Sequence, residues 1–208
     1  GIECIPELMA VCRGGILSLT AVIGEYFNRT QIDQILQVVL QFPEIDVQLS
    51  IRGWWEGGTV QQTKQVNTNS TGGRPLPESW ITVHADQEYV LNIKLHRQNR
   101  RKKDSKAYAP RFPKAKDEGW IIVLGEIETR EVIAIKRVGY VRGHNNIQLS
   151  FYSPETLGRV IHTVYVLSDS YLGLDQQYDV CLDVTAPSIE AQVNSELKDE
   201  LDGLDFGD

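Results

Sequence analysis

The stretch "FPEIDVQLSI", residues 42–51, marks the point at which the hydrophobic period of the chain changes. Upstream of Pro43, apolar residues recur at the spacing of one helix face, at Ile32, Ile35, Leu36 and Val39. Downstream, apolar and polar residues alternate, and one face of a strand is formed by Ile45, Val47, Leu49 and Ile51. The sequence therefore predicts a helical segment over residues 1–43 and a β domain that begins at residue 44.

Three helices are predicted in the first segment. A short helix covers residues 6–12 and a second covers residues 17–27. The third begins at an approximate capping box formed by Thr30 and Asp33 and ends before Pro43. A segment of this size is too small for a robust core of its own, so we expect the helices to pack on the β domain or on sequence upstream.

Seven or eight strands are predicted after residue 44, at residues 45–51, 80–84, 87–96, 120–125, 131–138, 146–151, 160–167 and 178–184. No helix separates them, which favours an antiparallel sandwich of immunoglobulin-like or fibronectin-type-III-like fold over residues 44–187. Trp80 and Trp120 each open an alternating strand and are predicted to lie in its core. Residues 56–79 and 97–116 are predicted to be mobile loops.

Charge divides the chain more sharply than its net charge of -7 suggests. Residues 188–208 carry seven acidic residues against one lysine and are predicted to form a disordered tail. Residues 94–116, by contrast, hold ten of the 21 basic residues. The sequence thus combines a basic loop with an acidic tail.

The motifs of common catalytic and metal sites are missing from the sequence. No phosphate-binding loop, nucleophile elbow or zinc-protease motif is present. The three cysteines fit neither a disulfide framework nor a zinc site, and the four histidines lie singly. No stretch is long enough to span a membrane. We therefore expect no catalytic, cofactor-binding or metal-binding residue, and a location in the nucleus and cytosol.

The basic loop admits two interpretations. Its cations, together with Tyr108 and Phe112, suit contact with the phosphates and bases of a single strand. The candidate phosphate contacts are Arg97, Arg100, Arg101, Lys102, Lys103 and Lys106. The alternative is a solvated connector, which Pro110 and Pro113 would stiffen.

Two apolar sites suggest either packing or partner binding. Trp54 and Trp55 end the first predicted strand, so their side chains point to opposite faces and at most one enters the interior. The other covers an apolar edge or anchors a partner. The connection between the last two strands contains Tyr171, Leu172 and Leu174, which we expect to plug one end of the sandwich. If exposed, they would instead form a partner surface.

Two long segments carry a family resemblance: "SDSYLGLDQQYDVCLDV", residues 168–184, and "APRFPKAKDEGWIIVLGEIETREVIAIKRV", residues 109–138. They resemble the last module of the Sec-sixty-three homology unit of large superfamily-two RNA and DNA helicases. The resemblance is strong over about residues 80–195 and weaker over about residues 1–55. The stretch "NRRKKDSK", residues 99–106, and residues 56–79 depart from the relatives, so the resemblance assigns them no role.

The resemblance implies a helix-loop-helix followed by an immunoglobulin-like sandwich, both downstream of a helicase core. It implies a parent helicase that uses ATP, in alkylation-damage repair and the dissociation of stalled ribosomes. We expect this chain to be a non-catalytic scaffold that packs on that core and contacts other subunits of its complex. The alternative is an accessory module that binds single-stranded DNA or RNA leaving the core. ATP and Mg would bind only in the core.

Overall fold

The structure is a computed structural model that describes residues 2–53, 64–66, 80–99, 105–126 and 128–187. In these ranges three helices come first: α1 (Ile5–Arg13), α2 (Gly15–Ile23) and α3 (Arg29–Val39). The helix α3 begins with a capping box in which Asn28 and Gln31 accept hydrogen bonds from each other's backbone amides, both at 2.9 Å. The predicted box of Thr30 and Asp33 is therefore wrong, because the helix starts two residues earlier.

Nine strands follow within the described ranges: β1 (Ile45–Gly53), β2 (Lys64–Val66), β3 (Ile81–His84), β4 (Glu88–Arg97), β5 (Trp120–Glu126), β6 (Glu131–Val138), β7 (His144–Tyr152), β8 (Gly158–Ser168) and β9 (Gln176–Thr185). They form a four-stranded sheet in the order β2-β1-β4-β7 and a five-stranded sheet in the order β3-β9-β8-β5-β6. The predicted sandwich is confirmed. Within the predicted loop 56–79, however, β2 is a strand that pairs with Leu49–Ile51 of β1.

One pairing departs from the antiparallel order that the sequence suggested. The strands β1 and β3 lie in opposite sheets, and β3 pairs in parallel with β9. All other strand pairs are antiparallel. The strands β2 and β3 are thus edge strands of opposite sheets.

The inward faces of the two sheets meet in one apolar core. Its most deeply buried large side chains are Leu49, Leu91, Ile93, Leu95, Trp120, Ile122, Leu124 and Leu182. Trp120 is in the core, as predicted, but Trp80 is only half-buried, and the Arg159 guanidinium lies 4.9 Å from the centre of its ring.

The helices have a small core of their own and also pack on the sandwich. Their core consists of Cys12, Leu19, Ile32, Leu36 and Val39. Met9 packs against both this cluster and the sandwich core, and Ile5 and Phe42 pack against the sandwich core alone. The helical segment is thereby held on the sandwich by apolar contacts.

His162 is a buried imidazole in this core. Its ring lies edge-on to Phe151 at 5.7 Å, and neither ring nitrogen has a hydrogen-bond partner within the described structure. Burial lowers the pKa of His162 below its ordinary value, although the charge of Glu126 opposes this shift. The folded protein therefore holds this histidine in its neutral form.

We expect the protein to lose stability as the pH falls below about 6.5, the ordinary pKa of histidine. In that range the unfolded imidazole takes up a proton, whereas the folded one does so only below its lowered pKa. The His162→Phe variant should show a flatter dependence of the urea midpoint on pH between about pH 8 and about pH 5. The variant His144→Phe makes the same replacement at an exposed strand position and serves as the comparison for changes in the urea midpoint itself. Equal slopes for wild type and His162→Phe would contradict this prediction.

Candidate interaction surface at one end of the sandwich

The loop between β8 and β9 is built by local hydrogen bonds. The Ser168 hydroxyl accepts from the backbone amides of Ser170 and Tyr171, at 3.3 and 3.1 Å. Asp175 accepts from the amide of Ser168 at 2.8 Å, and Gly173 has a φ of 78° that an L side chain rarely adopts. These contacts fix which side chains of the loop point inward.

Two of the three predicted plug residues are buried, and one is not. Tyr171 and Leu174 belong to the sandwich core, and the Tyr171 ring lies 4.9 Å from the ring of Phe42. Leu172, in contrast, is 95% exposed, so its assignment to the plug is wrong. Gly173, with its positive φ, lies between the exposed Leu172 and the buried Leu174. The loop thus joins the helical segment to the sandwich through Tyr171.

The two leucines of this loop provide a matched test. Leu174→Ala should lower the free energy of unfolding by about 2 to 5 kcal/mol, because it removes a buried side chain. Leu172→Ala should change it by less than about 0.5 kcal/mol, because that side chain already contacts water. Urea titrations of both variants measure the difference. Equal losses would show that the loop is not oriented as described.

A lobe, defined as residues 105–118, projects from this end of the sandwich between β4 and β5. It is closed by backbone hydrogen bonds from Ala107 to Lys116 and from Glu118 to Ser105, at 2.8 and 2.7 Å. The Tyr171 hydroxyl accepts a hydrogen bond from the amide of Tyr108 at 2.7 Å. The lobe is therefore anchored to the loop that also holds the helices.

Arg97 is an internal anchor rather than a surface cation. Its guanidinium donates to both carboxylate oxygens of Glu118, at 2.8 and 3.3 Å, and both side chains are almost fully buried. The prediction that Arg97 contacts nucleic acid is wrong, because its guanidinium is buried and both of its amino groups are bonded to Glu118. The pair instead ties the end of β4 to the start of β5.

Asp169 fastens the other side of the lobe. Arg137 donates to it at 3.0 Å and the Lys116 ammonium lies 3.7 Å away. Burial raises the pKa of Asp169, but the hydrogen bond from Ser170 and the two cations outweigh this and leave the pKa below its ordinary value. A Cβ atom at Gly119 would lie 2.6 Å from an Asp169 oxygen, so a side chain there would displace this carboxylate.

The tip of the lobe presents cations and an aromatic ring to solvent. Arg111 and Lys114 are exposed, and neither has an ion-pair partner among the described residues. Phe112 between them is 56% exposed. Lys106, a predicted phosphate contact, is exposed but bridges to Asp117 at 2.9 Å. Hydrogen bonds from Ser105 and Lys106 lower the pKa of Asp117.

Several predicted contact residues lie outside the described ranges. These are Arg100, Arg101, Lys102 and Lys103 of the basic loop, and the pair Trp54 and Trp55. Their proposed roles stay predictions. Of the basic stretch, the described structure therefore supports only the lobe as a candidate contact surface.

The helix α2 presents a second surface, which the sequence reading overlooked. It has no charged residue, its only polar side chains are Ser18 and Thr20, and only Leu19 is buried. Leu17 is 82% exposed, and a cavity of about 400 Å³ opens between α2 and Phe27. The sequence already indicates this surface, since no charged residue lies between Gly14 and Gly24. A helix of mostly apolar residues without a charged face is normally buried.

Potential metal ligands and cysteine thiols also occur among the described side chains. No three His, Cys, Asp or Glu side chains in the described ranges are placed to hold a metal ion. Burial, followed by the charge of Asp179, raises the pKa of Cys181 to about 11, which disfavours a nucleophilic thiolate at neutral pH. No described helix has the length and apolar character needed to cross a membrane.

The structure thus defines an immunoglobulin-like sandwich with docked helices, an exposed apolar helix surface and a basic lobe. The family model of the Sec63 Brl domain matches residues 7–181. The chain belongs to this family, which confirms the assignment made from its motifs.

Curated relatives agree with this assignment. The chain is 44% identical over 207 residues to the activating signal cointegrator 1 complex subunit 3 of Bos taurus, covering 98% of this chain and 9% of that protein. It is 36% identical over 88 residues to the human U5 small nuclear ribonucleoprotein 200 kDa helicase, covering 42% of this chain and 4% of the relative. The chain thus spans about a tenth or less of the relatives it matches.

A plant relative shows the same pattern. The match to the DExH-box ATP-dependent RNA helicase DExH13 of Arabidopsis thaliana is 45% identical over 76 residues, covering 36% of this chain and 4% of the relative. Among solved structures, a β-glucosidase from Listeria innocua covers 71% of this chain and 17% of its own at 10% identity, with a TM-score of 0.34. That score is too low to bear on fold or function.

Proposed function

We propose that this chain is a non-catalytic accessory module of an ATP-dependent nucleic-acid helicase, in which it packs on the helicase core and contacts other subunits. Its family membership and its relatives named as helicases support the proposal. So does a relative named as a subunit of a complex. The single structural observation that carries it is the uncovered apolar surface of α2.

This surface is larger than a few scattered side chains. Besides Leu17, the exposed apolar residues here are Val22, Tyr26 and Phe27. Leu17 and Phe27 line the cavity beside α2, together with Ile16 and Ile32 and the polar residues Thr20, Asn28 and Arg29. Exposed apolar surface of this kind marks a contact site, because its exposure to water is unfavourable. The helicase core is the proposed occupant.

We expect Leu17→Asp combined with Tyr26→Ser to destabilise the whole helicase that carries this chain. A large apolar anchor that is buried in a contact contributes about 2 kcal/mol or more. The thermal unfolding midpoint of the helicase and its nucleic-acid-stimulated ATP hydrolysis should therefore both fall. In the isolated chain the same substitutions should leave the midpoint almost unchanged, because both side chains are exposed there.

The sandwich offers a matched control of the same residue types. Leu157 and Tyr152 are also exposed but belong to the region from β7 to β8. Leu157→Asp with Tyr152→Ser should leave the helicase unaffected. Wild-type behaviour of the α2 variant in the whole helicase would rule out α2 as the contact.

The finer roles follow from the family resemblance and stay proposals. They are alkylation-damage repair, dissociation of stalled ribosomes, and a location in nucleus and cytosol. We also propose that ATP and Mg bind only to the helicase core and that this chain performs no catalysis itself. Its missing phosphate-binding loop supports this view.

A second candidate function, contact with single-stranded nucleic acid, is favoured by the tip of the lobe. Arg111 and Lys114 can neutralise phosphates, and Phe112 between them can stack on a base. The internal anchors described above hold these side chains at a fixed place on the sandwich. The lobe would thus contribute a sequence-independent contact to a strand that leaves the core.

We expect Arg111→Ser with Lys114→Ser to weaken binding of a labelled single-stranded oligonucleotide in fluorescence anisotropy. Loss of two phosphate contacts should also reduce the slope of log affinity against log salt by about 1.4. The control replaces two exposed cations elsewhere, Arg29→Ser with Lys94→Ser, and should retain the wild-type slope. If both variants behave alike, the lobe is a solvated connector.

A further inference from the structure

The strand β6 forms an open edge of the five-stranded sheet. Among the described strands it pairs only with β5, and seven of its eight residues are not buried. Val132 and Ile135 are each 65% exposed. A strand edge with unpaired backbone groups and apolar side chains is a template for another strand. Natural edges of this kind are normally blocked or covered.

A β-bulge places the two exposed apolar side chains on the same face. Leu124 pairs with Ala134 but the next residue, Gly125, pairs with Val132, so that Ile133 is an extra residue. Val132 and Ile135 therefore both lie on the outer face of the sheet. A cavity of about 300 Å³ opens there, lined in part by Val123, Val132 and Tyr165.

The charges at this edge are not matched within the chain. Glu131 is directly opposite Glu126 in the ladder, and like charges at opposed positions repel. Lys136 is opposite the core residue Ile122. No ion pair of Glu126, Glu131 or Lys136 occurs within the described parts of the chain. Within the described residues, Glu126 and Glu131 therefore have no basic ion-pair partner at this edge, and Lys136 has no acidic one.

We propose that a second copy of this chain adds to β6 as an antiparallel strand, related by a twofold axis. In the register that pairs Val132 with Ile135 of the second copy, the exposed apolar side chains cover one another twice. The same register pairs Glu131 with Lys136 of the second copy, also twice. Twofold symmetry doubles every such contact, and the two five-stranded sheets become one continuous sheet.

The local geometry suits this register. In this register the bulged Ile133 is opposite Ala134 of the second copy, next to the twofold axis. Between Val132 and Ile135 each strand therefore has two residues, and the bulge causes no mismatch in the new ladder. Lys136 of the second copy approaches the Glu126 and Glu131 carboxylates and relieves their repulsion. Arg130 falls near Arg137 of the second copy, but Asp169 already binds Arg137 at 3.0 Å.

Charge complementarity favours a second copy over an arbitrary strand. A lysine on the core-facing side of an edge strand opposes pairing with any strand that lacks a carboxylate at the facing position. A second copy supplies that carboxylate through Glu131 and presents matching apolar residues in the same register. A ladder of eight residues is small compared with stable interfaces, so we expect a weak, concentration-dependent dimer.

Sedimentation of the purified chain with reversed charges tests the proposal. Glu131→Lys places two lysines at each contact and Lys136→Glu places two glutamates there. Each single variant should raise the dimer dissociation constant by at least about tenfold, because attractive cross-strand pairs become repulsive ones. An equimolar mixture of the two should form a heterodimer, and the variant with both reversals should dimerise like wild type.

Controls distinguish this edge from other surfaces. Glu155→Lys and Lys94→Glu reverse exposed charges outside β6 and should leave dimerisation unchanged. Thermal unfolding of each variant checks that it is folded. The equimolar mixture of Glu131→Lys and Lys136→Glu tests dimer formation even if one of the two variants is less stable. A monomeric wild type at about millimolar concentration overturns the proposal. A dimer that is insensitive to both single reversals, or a mixture that stays monomeric, also overturns it.

Discussion

The buried ion pair between Arg97 and Glu118 is the constraint on which this end of the molecule depends. Arg97 is the last residue of β4 in one sheet, and Glu118 lies two residues before the start of β5 in the other. Their contact therefore crosses the sandwich. The guanidinium also donates to the Val141 carbonyl at 3.3 Å and lies 5.1 Å from the centre of the Tyr140 ring. Three segments of the chain thus meet at this side chain: the end of β4, the residues before β5, and residues 140–141.

From this pair the contacts continue outward to the helices. Glu118 fixes the position of Gly119, whose carbonyl accepts from the amide of Asp169 at 3.0 Å. Asp169 in turn begins the loop that buries Tyr171 against Phe42. The placement of the helical segment on the sandwich therefore depends on contacts that begin inside it. The exposed tip of the lobe is held by the same set of contacts.

Alternation of apolar residues was sufficient to predict the strands, but not the sheet to which each belongs. The parallel pairing of β3 with β9 joins positions about 100 residues apart, at Ile81 and Leu182, and no local pattern encodes such a contact. Burial of Arg97, however, was predictable. It continues the inward row of Leu91, Ile93 and Leu95 on β4, and its place in a basic run obscured that alternation.

The buried ion pair is better explained as an orienting contact than as a source of stability. Bringing two charges out of water costs several kcal/mol for each ion, and their attraction repays this only when all polar atoms are satisfied. Here the Arg97 Nε has no hydrogen-bond partner within the described structure, so part of that cost stays uncompensated. Apolar residues would pack in the same space without this cost, but they would not favour one register of the lobe. Arg97 favours one register of the lobe, because its two amino groups are both bonded only when a carboxylate lies at residue 118.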